Sequence, residues 1–155
     1  MGPLIDDDQR SKVAELVEDA VGKGAKALVG GGKLDGRGYF IEPTVLGDVP
    51  ENARVFHEEI FGPVAPIGGF ESEEEAIERA NDTEYGLVAY VFTRDIKRAL
   101  RVCEGLETGM VGLNQGMVSN AGAPFGGVKQ SGIGREGGQE GLEEFLETKY
   151  VAVNL

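Results

Sequence analysis

Between Gly109 and Gly137 the chain carries nine glycines, one proline and only scattered apolar residues after Leu113. No regular helix or strand survives that composition over most of its length, so the stretch is expected to be a long loop. Loops of this length inside a compact domain are functional or disordered, and the sparse charge around Phe125 and Ile133 favours an ordered one. The short elements before it are then expected to present it.

Those elements read clearly. Val13, Leu16, Val17, Ala20 and Val21 recur at helical spacing after Asp6-Asp7-Asp8, with glycines at 22 and 24 as the stop. A short strand from Lys26 follows, then turns at Gly30-Gly31-Gly32 and Asp35-Gly36, and extended pieces between Tyr39 and Val49 around Pro43. From Val64 the alternation is regular: strand to Phe70, helix Glu73 to Asn81 with Ser72 and Glu75 as a capping box, strand Leu87 to Thr93, helix Ile96 to Leu106, strand Met110 to Leu113. That order predicts an α/β fold with a parallel βαβαβ sheet, whose ligands meet the carboxyl ends of the strands, where the glycine loop leaves. A short helix around Gly138 to Leu146 and an apolar terminal strand, Tyr150 to Leu155, complete the expected order.

A chain of 155 residues is long enough for one core, and a net charge of −12 repels nucleic-acid phosphates and anionic lipid, so neither nucleic acid nor membrane is an expected partner. The acidic clusters at 6–8 and 73–75 sit where helices begin, as the helix dipole favours. No apolar run approaches the ~18 residues of a membrane span, Met1-Gly2-Pro3-Leu4 is no signal peptide, and one cysteine makes no disulfide framework; a cytoplasmic protein fits.

The chemically suggestive residues each have a plainer reading. Gly132-x-Gly134-x-x-Gly137 matches a dinucleotide fingerprint as a string, but it lacks the preceding buried strand and the acidic residue ~20 positions on. The Gly30 triplet reads as a turn, because no Lys-Ser/Thr pair follows it. Cys103 shares a helical face with Ile96, Ala99, Leu100 and Leu106 and reads as a small core residue. His57 alone makes no metal site and reads as a surface or turn residue, so no metal is expected. Glu59 is either a solvated charge or a carboxylate able to bind a ribose diol, with Phe61 beside it to flank a planar ring. Asn114, Ser119 and Phe125 belong to the glycine loop.

Gly2-Pro3-Leu4-Ile5, Glu58-Glu59-Ile60-Phe61-Gly62-Pro63-Val64, Ala80-Asn81-Asp82-Thr83-Glu84-Tyr85-Gly86-Leu87 and the block from Pro124 to Gly137 resemble, in order and spacing, the NAD(P)-dependent aldehyde dehydrogenases. Within that family, Gly109 to Asn120 and Ala123 to Gly132 are most similar to the succinate-semialdehyde branch. The resemblance implies the C-terminal third of such an enzyme: residues 1–148 as a partial catalytic domain and 149–155 as an oligomerisation strand. It implies that Glu59 and Phe61 bind the nicotinamide ribose and ring, and that Ser119 and Phe125 line the aldehyde pocket, Ser119 by hydrogen bonding to the substrate's distal carboxylate. Arg135, Glu147, Tyr150, Val151 and Val153 then resemble interface positions of a homo-oligomer. The family's reaction needs a thiolate nucleophile and a carboxylate that activates water. Both, with the Rossmann segment, are expected upstream of these residues. The chain alone is therefore expected to hold no catalytic residue, to bind neither NAD nor NADP and to be inactive, its rival role being a non-catalytic assembly or regulatory module for full-length subunits.

Overall fold

The computed structural model describes residues 1–34 and 36–154. The Asp35 half of the Asp35-Gly36 turn and the Leu155 end of the expected terminal strand lie outside them. The chain divides into two compact units, Met1–Phe70 and Glu71–Leu155.

In the first unit α1 (Asp7–Gly22) starts where Asp6 accepts a hydrogen bond from the Gln9 N–H (2.8 Å) and ends at Gly22, as its caps and acidic first turn dictate. Its Leu16, Val17 and Ala20 are buried with Ala25, Leu46, Val49, Ala53 and Val55 in one cluster, and its Val13 and Ala14 with Ile41 in a second. Strands β1 (Lys26–Val29), β2 (Thr44–Gly47) and β3 (Val64–Pro66) form a mixed sheet in that order. β2 is central, antiparallel to β1 and parallel to β3, with Thr44 opposite Val64. Thr44, buried in this sheet, spends its hydroxyl on the Glu42 carbonyl (2.8 Å) and accepts from the Gly31 N–H (3.0 Å).

In the second unit α2 (Glu73–Asn81) begins at Ser72, whose Oγ accepts from the Glu75 N–H, while Glu75 reaches back to the Glu71 N–H (2.7 Å). β4 (Tyr85–Gly86) pairs with β7 (Val128–Lys129) antiparallel, and β5 (Val88–Val91) pairs with β6 (Met110–Leu113) parallel through α3 (Ile96–Gly105). The short helix α4 spans Glu140–Glu143.

One expectation about the sheet changes. The single parallel βαβαβ sheet is not formed: β3 pairs with β2 in a mixed three-stranded sheet, and only β5-α3-β6 makes a parallel unit. Pairing partners far apart in sequence leave no local periodicity to betray them, which is why the alternation of elements misassigned the first strand. The terminal stretch 150–154 takes no strand pairing among the described residues, and Tyr150, Val151 and Val153 lie open to solvent.

Electrostatics join α2 to α3. Arg101 forms a two-pronged contact with Glu73 (2.7 and 2.9 Å), and Arg98 adds a third at 3.2 Å. The Arg101 hydrogen bonds above all hold the Glu73 carboxyl below its ordinary range, against the opposing effect of desolvation. A carboxylate lowered in the folded state contributes stability that is complete above its unfolded pKa and is lost as pH falls through the folded one. Urea midpoints of the chain and of Glu73→Gln should therefore differ at pH 7 and converge as the pH falls through the interval below about 4.3, the ordinary glutamate value. A gap that stays constant over that interval would show that the ion pair adds nothing.

Candidate functional site

The turn that carries Glu59 and Phe61 is built by its neighbours. A 3-10 turn at Arg54–Phe56 precedes it, where the Arg54 N–H binds Asp19 (2.9 Å) and the Arg54 guanidinium grips Glu58 at 2.5 and 3.1 Å. The Arg54 hydrogen bond lowers the Glu58 pKa, so the first carboxylate of the Glu58-Glu59 pair is a structural ion. Glu59 differs: it is exposed, and among the described residues its carboxylate takes no partner. Phe61 follows at φ 48° with its side chain three-quarters exposed. A bulky residue in the left-handed region is strained, and such outliers concentrate where a ligand is clamped. Sequence reasoning named both residues but could not see this backbone.

Ser119 and Phe125 lie in the second unit, on the loop that leaves β6. Asn114, at φ 52°, opens that loop and closes an amide clamp on Thr93, accepting from its N–H (2.9 Å) and donating to its carbonyl (2.9 Å). Its role is to tie the ends of β5 and β6 together. Ser119 is exposed, and beyond it the loop is stapled by Asn120, whose side chain accepts from the Gly122 N–H and whose carbonyl accepts from Ala123. Phe125 is half-buried and exchanges two backbone hydrogen bonds with Glu136 (2.7 and 2.8 Å). The glycine stretch is thus an ordered loop with a two-residue strand inside it. The structure gathers Glu59 with Phe61 on one turn and Ser119 with Phe125 on one loop, each pair in its own unit.

The remaining candidates settle into local roles. Cys103 is half-buried on α3, whose one fully buried residue is Ala99. His57 is exposed, with Nε2 2.7 Å from the Glu51 carbonyl. Gly132-x-Gly134-x-x-Gly137 follows the two residues of β7, and the next helix starts only at Glu140. Arg135, expected at an interface, sends Nη1 to the carbonyls of Gly127, Ile133 and Gly134, while its N–H is received by Glu144. Glu147 is exposed. Lys129, which sequence reasoning passed over, caps the end of α2 by donating to the Asn81 and Thr83 carbonyls and pairs with Glu107 (2.6 Å). Gln9 and Lys12 were also missed: both donate to the backbone of the Glu59 turn, and a polar residue on a helix announces no such target.

Among the described residues no helix is long and apolar enough to cross a membrane. Residues 1–151 match the sequence profile of the aldehyde dehydrogenase family. The chain is 56% identical to a succinate-semialdehyde dehydrogenase of Paenarthrobacter nicotinovorans over 99% of its own length and 34% of that protein. It is 53% identical to a glutarate-semialdehyde dehydrogenase of Pseudomonas putida, over 99% of this chain and 32% of the relative. Its fold superposes on the crystal structure of an Escherichia coli NADP-dependent enzyme with a TM-score of 0.96 at 51% identity, covering 100% of this chain and 32% of that one. The chain therefore spans about a third of the length of the relatives it matches.

Proposed function

Because the chain belongs to the aldehyde dehydrogenase family, we propose that it forms the C-terminal part of a catalytic domain that oxidises a carboxylate-bearing aldehyde, succinate semialdehyde, to its acid with NAD or NADP. The observation that carries the reading is the Glu59–Phe61 turn: an exposed carboxylate, unpartnered among the described residues, beside an aromatic ring held outward on strained backbone. These residues fit the nicotinamide end of such a cofactor, since a carboxylate accepts from both hydroxyls of a ribose and an aromatic face packs on a planar ring. The cofactor, when bound, accepts the hydride. Glu59 then fixes the ribose, and Phe61 limits the tilt of the ring and shields it from water. Ser119 donates to the distal carboxylate of the aldehyde and Phe125 forms an apolar wall of the pocket. The names of the relatives favour a four- or five-carbon dicarboxylic semialdehyde, and the succinate compound is preferred on the first of them.

In this reading residues 1–148 belong to the catalytic domain and 149–155 pair as an edge strand with a neighbouring subunit of a cytoplasmic homo-oligomer. Arg135, through the donors its own loop does not use, and Glu147 lie at that interface. The exposure of Tyr150, Val151 and Val153 supports this, because an unpaired apolar edge is otherwise an association hazard. It equally supports the second reading, an assembly module that docks on full-length subunits without catalysis.

The 155 residues include one thiol, Cys103, half-buried on α3 and away from both the turn and the loop in sequence. The purified chain, given succinate semialdehyde with NAD or NADP, should produce no NAD(P)H absorbance. Turnover that Cys103→Ala abolishes would overturn the proposal that the nucleophile lies elsewhere.

A further inference from the structure

Ser119 lies on a stretch with neither helix nor strand, yet the chain on each side of it is seated, and both seats are made of glycine. On the strand side, Gly112 of β6 lies opposite Tyr90 of β5 in the parallel register. Gly112 is buried, and a Cβ there would come within 2.6 Å of Tyr90 Cδ1 and 3.1 Å of Val118 Cγ1. The half-buried Val118 and the tyrosine ring thus share the space that a side chain at 112 would fill. On the far side the loop lies against Gly137 and Gly138, which follow one another at φ 68° and 59°. The Gly138 N–H binds the Ala121 carbonyl at 3.1 Å. A Cβ on Gly137 would stand 2.9 Å from the Ala123 carbonyl oxygen, and one on Gly138 would stand 3.2 Å from the Pro124 nitrogen.

A turn by itself does not demand such proximity. Gly132, at φ 91°, has nothing within 4 Å of a Cβ added to it, so backbone conformation is its whole requirement. Gly137 and Gly138 meet two requirements at once, a left-handed backbone and the close approach of another segment's backbone, and the second excludes even the asparagine that tolerates the first. Between the two seats Val118 packs inward and Ser119 is left exposed. A hydroxyl on a mobile loop has to be ordered each time a ligand binds, whereas on a seated loop that entropy is already given up in folding. We infer that Val118, Gly112 and the Gly137–Gly138 pair are positioning residues that hold the Ser119 hydroxyl where it meets the distal carboxylate of the aldehyde. They act through the loop. The inference rests on the reading of Ser119 as the contact of that carboxylate.

The test uses the full chain and the protein made by joining it to the preceding two thirds of a succinate-semialdehyde dehydrogenase. Val118→Ala empties the first seat without adding an atom, Gly138→Ala fills the second, and Gly132→Ala is the control that strains a turn against open space. In the full chain the Ser119 amide should be rigid, with an order parameter of about 0.85 from nitrogen-15 relaxation, falling toward about 0.6 in Val118→Ala and Gly138→Ala and unchanged in Gly132→Ala. In the joined protein the two seat variants should raise the KM for succinate semialdehyde roughly five- to tenfold, the effect of weakening a hydrogen bond to a charged group. The cofactor KM, kcat and the KM for butanal, an aldehyde of equal length without the carboxylate, should stay within about twofold. A loss of folded protein would instead lower kcat for both aldehydes. Should Gly138→Ala fail to fold, Val118→Ala carries the test alone. A Ser119 amide as mobile in the unaltered chain as in the variants would overturn the inference, and so would an equal rise in KM for butanal. An unchanged succinate-semialdehyde KM in Val118→Ala, while Ser119→Ala raises it, would overturn the positioning and leave the reading of Ser119 standing. If Ser119→Ala also leaves that KM unchanged, the reading of Ser119 fails and takes the inference with it.

Discussion

Gly109→Ala is expected to destabilise the chain by about 3 kcal/mol or more, the upper end of what overpacking costs. A Cβ at this position would overlap the Gly126 carbonyl oxygen and lie 2.8 Å from both the Gly126 carbonyl carbon and the Gly127 Cα. All three are backbone atoms, so no rotamer change relieves the collision. The surroundings are committed as well: the Gly109 N–H binds the Gly86 carbonyl at 2.9 Å, Gly86 pairs with Val128, and the Gly86 N–H is received by Ser131 Oγ at 3.1 Å. Moving residues 126 and 127 aside would pull β7 from β4 and open the start of β6. Gly116→Ala is the matched control, because nothing lies within 4 Å of its added methyl group. It should leave stability within about 0.5 kcal/mol. Equal effects of the two substitutions on the urea midpoint would contradict the packing described for the loop.

Arg135→Met should cost about 2 to 3 kcal/mol in the monomeric chain, measured at a concentration where sedimentation shows no dimer. One nitrogen, Nη1, donates to the carbonyl of the buried Gly127 (2.7 Å) and lies within hydrogen-bond distance of the exposed Ile133 and Gly134 carbonyls. Hydrogen bonds from a charged donor contribute about 1.5 to 3 kcal/mol, and methionine keeps the length of the stem while removing every donor. The urea midpoint should fall by roughly 1 M for an ordinary urea dependence in a chain of this size. If Arg135 acted only between subunits, the monomer would keep its midpoint and the association constant alone would change.

Both predictions concern the stretch that the sequence marks most strongly, and they show what a sequence can carry. Helices α1 and α2 were legible to within a residue or two because Asp6 and Ser72 are capping residues ahead of 3.6-period apolar positions, and α3 because Ile96, Ala99, Leu100 and Cys103 recur at helical spacing. Strand β6 was legible because Met110–Leu113 is a short apolar run between a helix and a glycine loop. β4 and β7 were not, since two residues have no period. The antiparallel partnership of β1 with β2, and of β2 with β3 in parallel, joins segments separated in sequence, which no local pattern records.

The candidate site divides the same way. Glu59 and Phe61 could be named as candidates from side-chain chemistry, whereas Ser119 and Phe125 were named through the family resemblance of their blocks. The left-handed backbone at Phe61, the clamp from Gln9 and Lys12, and the use of Arg135 by its own loop could not be named. They are hydrogen bonds to carbonyls, which every residue has, so the donor's identity says nothing about its target.

The measurement that tests the central claim most directly is the turnover of this chain joined to the preceding two thirds of a succinate-semialdehyde dehydrogenase, followed as NAD(P)H absorbance beside the chain alone and the preceding segment alone. The account predicts turnover of succinate semialdehyde by the joined protein, silence from either part, and a raised cofactor KM with Glu59→Gln. A folded joined protein that binds the cofactor through its upstream segment yet turns over no aldehyde would contradict it, and would leave the assembly role as the function of this chain.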